Sequence, residues 1–463
     1  MYVADSHSSK APVAPATGPV RRGAALRSVP GAVLALGAVS MVTDISSEMV
    51  NAVLPLYLLT GLGLSPLGFG LLDGIQNGFS ALVQLAGGYL ADRRGRDGTA
   101  RHKTVAAVGY GLSALCRPLL LFVHTVPLIG AVIAADRTGK GLRTAPRDAM
   151  ISLATEPAHR GRAFGVHRAM DTAGALLGPL TAFLVLRLAG GPLLADGGER
   201  HGYDAVFAVS ACVAVLGVLI LLLFVPNRLS ADASSTTAPT LRSSLTLLRL
   251  PGLRRLALCA VLLGLTTVSD SFLYLLIQRR LGLSVNLFPL LPLGTAAAFL
   301  LLAVPLGSLA DRVGRRRLFL LGHGVLLLAY GLLLSPLRGL PAVVCVLVLH
   351  GSFYAATDGV LAAAAADTVP VEQRGAGLAL VGTGQALARF ACSLLFGALW
   401  SVVGGSTALA WSAGALALCV AGAAVVLRTS EPAGRAVAAG PVAVEPVAAG
   451  PVAAEPVADE KRS

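Results

Sequence analysis

Long apolar runs, broken by short polar stretches, repeat along almost the whole chain. Each run is long enough to cross a bilayer as a helix, which takes about 20 apolar residues and pairs every backbone polar group internally. The pattern predicts twelve spans, near residues 31–59, 68–91, 103–123, 126–146, 161–187 and 204–225, then 254–280, 286–310, 316–335, 340–365, 374–400 and 404–427. The long polar internal connection, 226–253, is rich in Ser and Thr and reads as a cytoplasmic linker between a bundle at 31–225 and a bundle at 254–427. Residues 1–30 and 428–463 read as disordered tails, the second built of Gly-Pro-Val-Ala and Glu-Pro-Val-Ala repeats. The expected fold class is an all-α membrane protein with two six-helix halves. The first run follows about 30 residues of tail and continues as a full span, so it reads as a membrane helix and not as a cleaved signal peptide.

Composition agrees with this reading. The chain of 463 residues is 55% hydrophobic and only 13% charged, with a mean hydropathy of +0.74, where soluble domains carry about 25% charged residues. The net charge of +13 would suit nucleic-acid binding, but the basic residues sit in short loops between spans, as the positive-inside rule requires. Arg93, Arg94, Arg96, Arg101 and Lys103 follow the second span; Arg312, Arg315, Arg316 and Arg317 follow the eighth. Both termini and the linker are therefore expected in the cytoplasm of a multi-pass protein of the cell (plasma or inner) membrane. The six cysteines are scattered singly in apolar segments and read as small buried hydrophobes. No Walker motif, metal-ligand spacing or nucleophile–base constellation stands out. The expectation is no enzyme, no cofactor, no metal and no nucleic-acid partner.

The halves repeat each other. Gly88–Arg96 and Gly307–Arg315 both read G-x-L-A-D-R-x-G-R; Val42-Thr43-Asp44 matches Val268-Ser269-Asp270, and Arg160-Gly161 matches Arg374-Gly375. Three matches in one order predict parallel repeats related by an axis along the membrane normal.

With these motifs the chain resembles a major facilitator superfamily transporter over about residues 31–427. In the fourth span, Arg137 and Gly141 match an R-x-x-x-G core that lines the family's cavity. In the fifth, Gly174, Gly178 and Pro179 match the G-x-x-x-G-P associated with antiporter branches. The stretch Asp136–Ala149 and the segment Thr43–Met49 resemble a prokaryotic subgroup whose substrates are mostly unassigned. The resemblance implies alternating access, a lipid bilayer and a small-molecule substrate as partners, protons as coupling ion, and a monomer. It favours proton-coupled export of a drug or metabolite. An importer of a small solute or metal, or a non-transporting receptor, remains open.

Intramembrane ionisable groups are costly, and each is a candidate for function. Asp44 lies about 20 Å into the first span, near the midplane, with Glu48 and Asn51 on the same face. The acids could carry a proton or a cation, or Asp44 could pair with an arginine of span 4. Asp270 occupies the matching place in span 7, with Tyr274 where the first half has Glu48. Asp136, Arg137 and Asp171 complete the coupling candidates. Asp73, Gln76 and Asn77, with Ser80 and Gln84, form a helical polar stripe in span 2 that reads as cavity lining or as a helix interface. Lys140, Arg143 and Arg147 are expected to snorkel toward the cytoplasm; an anionic substrate site there is the alternative. His167 is a possible proton shuttle. Asp92, Arg93 and Arg96, with Asp311, Arg312 and Arg315 in the second copy, are expected to gate the halves by pairing across their interface or with helix ends. Gly174, Gly178 and Pro179 are expected to pack helices closely.

Overall fold

The computed structural model describes residues 29–92, 102–156, 159–189, 198–226, 246–370 and 373–428, and within them not the side chains of 80–82, 84–92, 198–201 and 374–375. Among the described residues there are thirteen α-helices. In chain order they are α1 Gly31–Leu56, α2 Pro66–Asp92, α3 His102–Leu119, α4 Val126–Leu153, α5 Arg160–Ala189, α6 Gly198–Phe224, α7 Pro251–Thr266, α8 Asp270–Leu281, α9 Leu290–Val313, α10 Arg315–Leu334, α11 Leu340–Ala366, α12 Arg374–Val403 and α13 Gly405–Arg428. Helix α1 continues through a wider turn, Tyr57–Gly61.

Nine stretches among the described residues, counting α7 with α8 as one, are long and apolar enough to cross a membrane. Helices α2, α3 and α4 are not among them. The reason is plain in α4, which carries Asp136, Arg137, Lys140, Arg143, Arg147 and Asp148. Lipid-facing apolar side chains are abundant elsewhere: Leu301, Val304, Leu418 and Val402 are all exposed.

Helices α1–α6 and α7–α13 repeat one packing scheme. In the first, α1 lies on α5 and α6, and α4 on α2 and α3. In the second, α7 lies on α12 and α13, and α11 on α9 and α10. Small residues set the closest crossings. A Cβ on Gly139 of α4 would meet the Gly109 carbonyl and the Ser113 hydroxyl of α3, each at 2.6 Å. The halves join mainly along α2 and α12.

The seventh predicted span is not one helix. Helix α7 stops at Thr266, and Thr267 and Ser269 adopt extended backbone before α8 restarts at Asp270. The sequence Thr266-Thr267-Val268-Ser269-Asp270 explains it: β-branched residues disfavour helix, and Ser then acid is a helix-start signal. The exposed backbone groups find partners, as a break inside a membrane must. Val268 N–H donates to the Tyr330 hydroxyl at 2.9 Å, and Cys392 Sγ lies 3.1 Å from the Thr267 carbonyl. Of the cysteines, Cys116, Cys259 and Cys392 are buried, but Cys212 and Cys345 are exposed on apolar helix faces, contrary to the expectation of burial.

The second repeated loop is scarcely a loop. Gly314, at φ +101°, joins α9 directly to α10. A left-handed backbone there is what the glycine of D-R-x-G-R supplies.

Candidate functional site

Polar and charged side chains inside the bundles fall into three groups. The first spans α1, α2, α3 and α4. Asp136 Oδ1 accepts from Arg117 Nη2 at 2.8 Å, and Oδ2 lies 3.3 Å from Arg137 Nη2, with all three residues buried. Arg117 also donates to Ser47 Oγ at 3.0 Å. The Asn51 amide oxygen accepts from Arg137 at 3.1 Å and from Gln76 at 3.0 Å, while its nitrogen donates to Glu48 at 3.0 Å. A small cavity of about 10 Å³ opens beside Asn51, Gln76, Arg117 and Arg137, the scale of one water. Asp136 thus anchors two arginines, and the Asn51 amide links Arg137 to Glu48. Breaking such a buried pair costs about 3–5 kcal/mol, since the abandoned charge has no solvent to turn to.

The second group joins α1, α3, α4 and α5. Arg143 lies 3.6 Å from Asp44 and rests on the Tyr110 ring, 4.5 Å from its centroid. Arg147 reaches Asp148 at 2.9 Å and Asp171 at 3.8 Å, and Arg168 reaches Asp171 at 3.4 Å. Ser40 Oγ meets His167 Nε2 at 3.0 Å and Arg147 at 3.4 Å. Asp171 and Asp44 lie close enough for their charges to interact. Tight packing of α5 on α1 brings these acids together. A Cβ on Gly178 would fall 2.5 Å from Glu48 Cβ, and one on Gly174 would run into the Met41 carbonyl.

The third group belongs to the second half. Asp270 Oδ1 accepts from the Tyr354 hydroxyl at 2.6 Å and lies 3.0 Å from His350 Nε2. Tyr274 donates to Thr295 at 3.0 Å. Asp73, from α2, sits between the halves: Ser393 Oγ of α12 donates to it at 2.6 Å, and Asn77 at 3.1 Å.

Several expectations change. Glu48 and Asp44, one turn apart, have different partners: Glu48 accepts from Asn51, and Asp44 lies beside Arg143. Arg143 is buried and Arg147 half-buried, each against a carboxylate and not extended toward the cytoplasm, because α1 and α5 place acids at their depth. The span 2 stripe divides, with Gln76 turned to the first group and Asp73 to the second half. Asp311 pairs within its own half, 3.7 Å from Arg315, which binds Asp367 beyond the end of α11 at 2.8 Å; Arg312 is exposed. Arg93, Arg96 and the side chain of Asp92 lie outside the described residues. Pro179 lies within α5, beside the Gly178 contact. Sequence reading missed Arg117, Tyr110 and Ser393. Arg117 was detectable as a lone charge in an apolar run; the other two carry no signal of their own.

A two-bundle, nearly all-helical chain with buried ion pairs at the bundle cores has the build of a membrane transporter. The family comparison makes the class specific: the model described as Major Facilitator Superfamily matches residues 36–299 and again 256–456, and the chain belongs to that superfamily. An uncharacterized MFS-type transporter of Methanocaldococcus jannaschii is 28% identical over 381 residues, covering 79% of this chain and 88% of the relative. An uncharacterized protein of Mycobacterium bovis is 32% identical over 158 residues, 34% of this chain and 37% of that protein. Among solved structures, a bacterial homolog to the human lysosomal transporter Spinster, inward-facing and occupied, superposes with TM-score 0.71 at 16% identity, covering 86% of this chain and 96% of that one. The nucleoside transporter NupG gives 0.71 at 13% identity, covering 86% and 99%. A POT family transporter in complex with 5-aminolevulinic acid gives 0.69 at 14% identity, covering 88% and 99%. Likeness at these identities shows the fold. The chain is a multi-pass membrane transporter of the MFS type for a small molecule, and not an enzyme.

Proposed function

We propose that the protein is a proton-coupled exporter of a small organic compound, working as a monomer by alternating access in the plasma or inner membrane. In this reading all twelve spans cross, the linker and both termini are cytoplasmic, and the bundles at 31–225 and 254–427 rock against each other.

The observation that carries the coupling is the cluster in which Arg143 meets Asp44 and Arg147 meets Asp171. Acids whose charges interact disfavour double ionisation, so one of them can take up a proton. Arg143 and Arg147 hold the residual charge. A proton taken up there changes what holds α1 to α4 and α5, the elements through which binding is transmitted. The tight Gly174 and Gly178 contacts support export, since they leave no leak along α1 and α5. Asp92, Arg93 and Arg96 act as the cytoplasmic gate, with Asp311, Arg312 and Arg315 as their counterpart.

The test is a proteoliposome assay. Purified protein is reconstituted with pyranine inside, a pH gradient is imposed, and a metabolite and drug library is added. The reading expects some compounds to drive proton movement opposite to their own, and cells lacking the protein to accumulate them. Proton movement in the same direction as the compound, with depletion in such cells, would indicate import.

A further inference from the structure

Asp73 is buried, 3% exposed, yet it belongs to neither ionic group of the first half. Its carboxylate is answered from across the interface. Ser393 of α12 donates at 2.6 Å, while the Ser269 hydroxyl, at the break before α8, is buried without a hydrogen-bond partner. The Ser393 hydroxyl belongs to the second half, and Asn77, at 3.1 Å, comes from Asp73's own helix.

Around this contact the halves are closed. Gly70, Gly74 and Gly78 form a small-residue ridge along α2. A Cβ on Gly70 would lie 2.5 Å from the Ser393 carbonyl, and one on Gly78 would lie 2.9 Å from Phe390 Cβ. Next to the ridge, Phe69 of α2 meets Phe272 of α8 edge to face at 4.8 Å, and Phe272 meets Phe396 of α12 at 4.9 Å. The contact lies toward the start of α2 and the end of α12, remote from the other end of α2 at Asp92.

We propose that Asp73 is a latch between the halves, a positioning residue whose carboxylate, held by the Ser393 hydroxyl of the second half, sets the ratio of the two access states. The inference rests on the alternating-access reading above. The chemistry suits a reversible closure. Water can take the place of the Ser393 hydroxyl when the halves part, at nearly equal hydrogen-bond strength. The closed state keeps the carboxylate satisfied only while its donors are present, because a buried charged acceptor that loses one keeps its desolvation cost. Asp73 therefore ties closure to α12: Ser393 reaches it only when the second half is docked.

The experiment uses the full chain in nanodiscs, spin-labelled on a cysteine-free background. One label pair, at Leu128 and Leu340, reports the α2-start end; another, at Glu156 and Gln373, reports the opposite end. The wild type should show both access states, with the first end mainly closed. Ser393→Ala should raise the open-to-closed ratio at the first end by about tenfold, with reciprocal closure at the other. Ser393→Thr, which keeps the hydroxyl, should restore the wild-type ratio. If Ser393→Ala lowers thermal stability without moving either distance distribution, the contact is merely structural and the latch is overturned. If Ser393→Ala does not fold, Asp73→Asn, which weakens the acceptor and is expected to move the same ratio in the same direction, decides by the same measurement. A wild type with a single state under every pH gradient would overturn the alternating-access reading itself.

Discussion

Val42-Thr43-Asp44 and Val268-Ser269-Asp270 are the same motif in two halves, and the protein uses them differently. In α1 the helix is continuous, with Thr43 Oγ1 donating back to the Val39 carbonyl at 2.7 Å. In the second half the chain is extended at Ser269, and Asp270 begins a new helix. Asp44 is held by the charged side chain of Arg143; Asp270 is held by the phenol of Tyr354 and the imidazole of His350. The difference teaches that a repeated acid does not imply a repeated role. The first half keeps its acids in a dense array of arginines, with the cost of burial met by ion pairs. The second keeps its acid beside a break in the backbone, where the helix can bend and the half can dock on α2.

The largest test of this contrast is Asp136→Ala. It strands Arg117 and Arg137 in a buried site and should cost about 3–5 kcal/mol, read as thermal unfolding in nanodiscs. Asp270→Asn should cost less, about 1–2 kcal/mol, because its partners are a phenol and an imidazole and the amide still accepts. Reversal of that order would break the contrast. Next is Gly178→Val, which pushes a side chain into Glu48 and the Ile45 carbonyl and should cost about 1–3 kcal/mol with loss of transport. Tyr354→Phe removes one hydrogen bond and should cost about 1 kcal/mol in the same unfolding assay. The smallest effect belongs to Gly324→Ala, where nothing lies within 4 Å of an added Cβ; it should be neutral or stabilise by about 0.5–1 kcal/mol.

Much of the fold was legible because apolar runs of bilayer length leave few alternatives. Helix α1 begins at Gly31, as its run does, and α11, Leu340–Ala366, ends one residue beyond its own. The break before Asp270 escaped because no Gly or Pro marks it; its signal was a β-branched run ending in Ser-Asp. Site residues were legible one at a time, since an ionisable group in an apolar run announces itself. Their pairings were not. Which arginine meets Asp44 depends on the relative rotation of α1, α4 and α5, set by contacts such as Gly178 on Glu48. Asp73 read as one of a polar stripe, and its partner Ser393 lies 320 residues away.

The most direct test of the central claim, that coupling chemistry is concentrated in the first half, compares Asp44→Asn with Asp270→Asn. Both are reconstituted with pyranine and a compound found by the library screen. The account predicts that Asp44→Asn abolishes proton movement on addition of the compound, while Asp270→Asn retains it at reduced rate. Unchanged proton movement in Asp44→Asn would contradict the account.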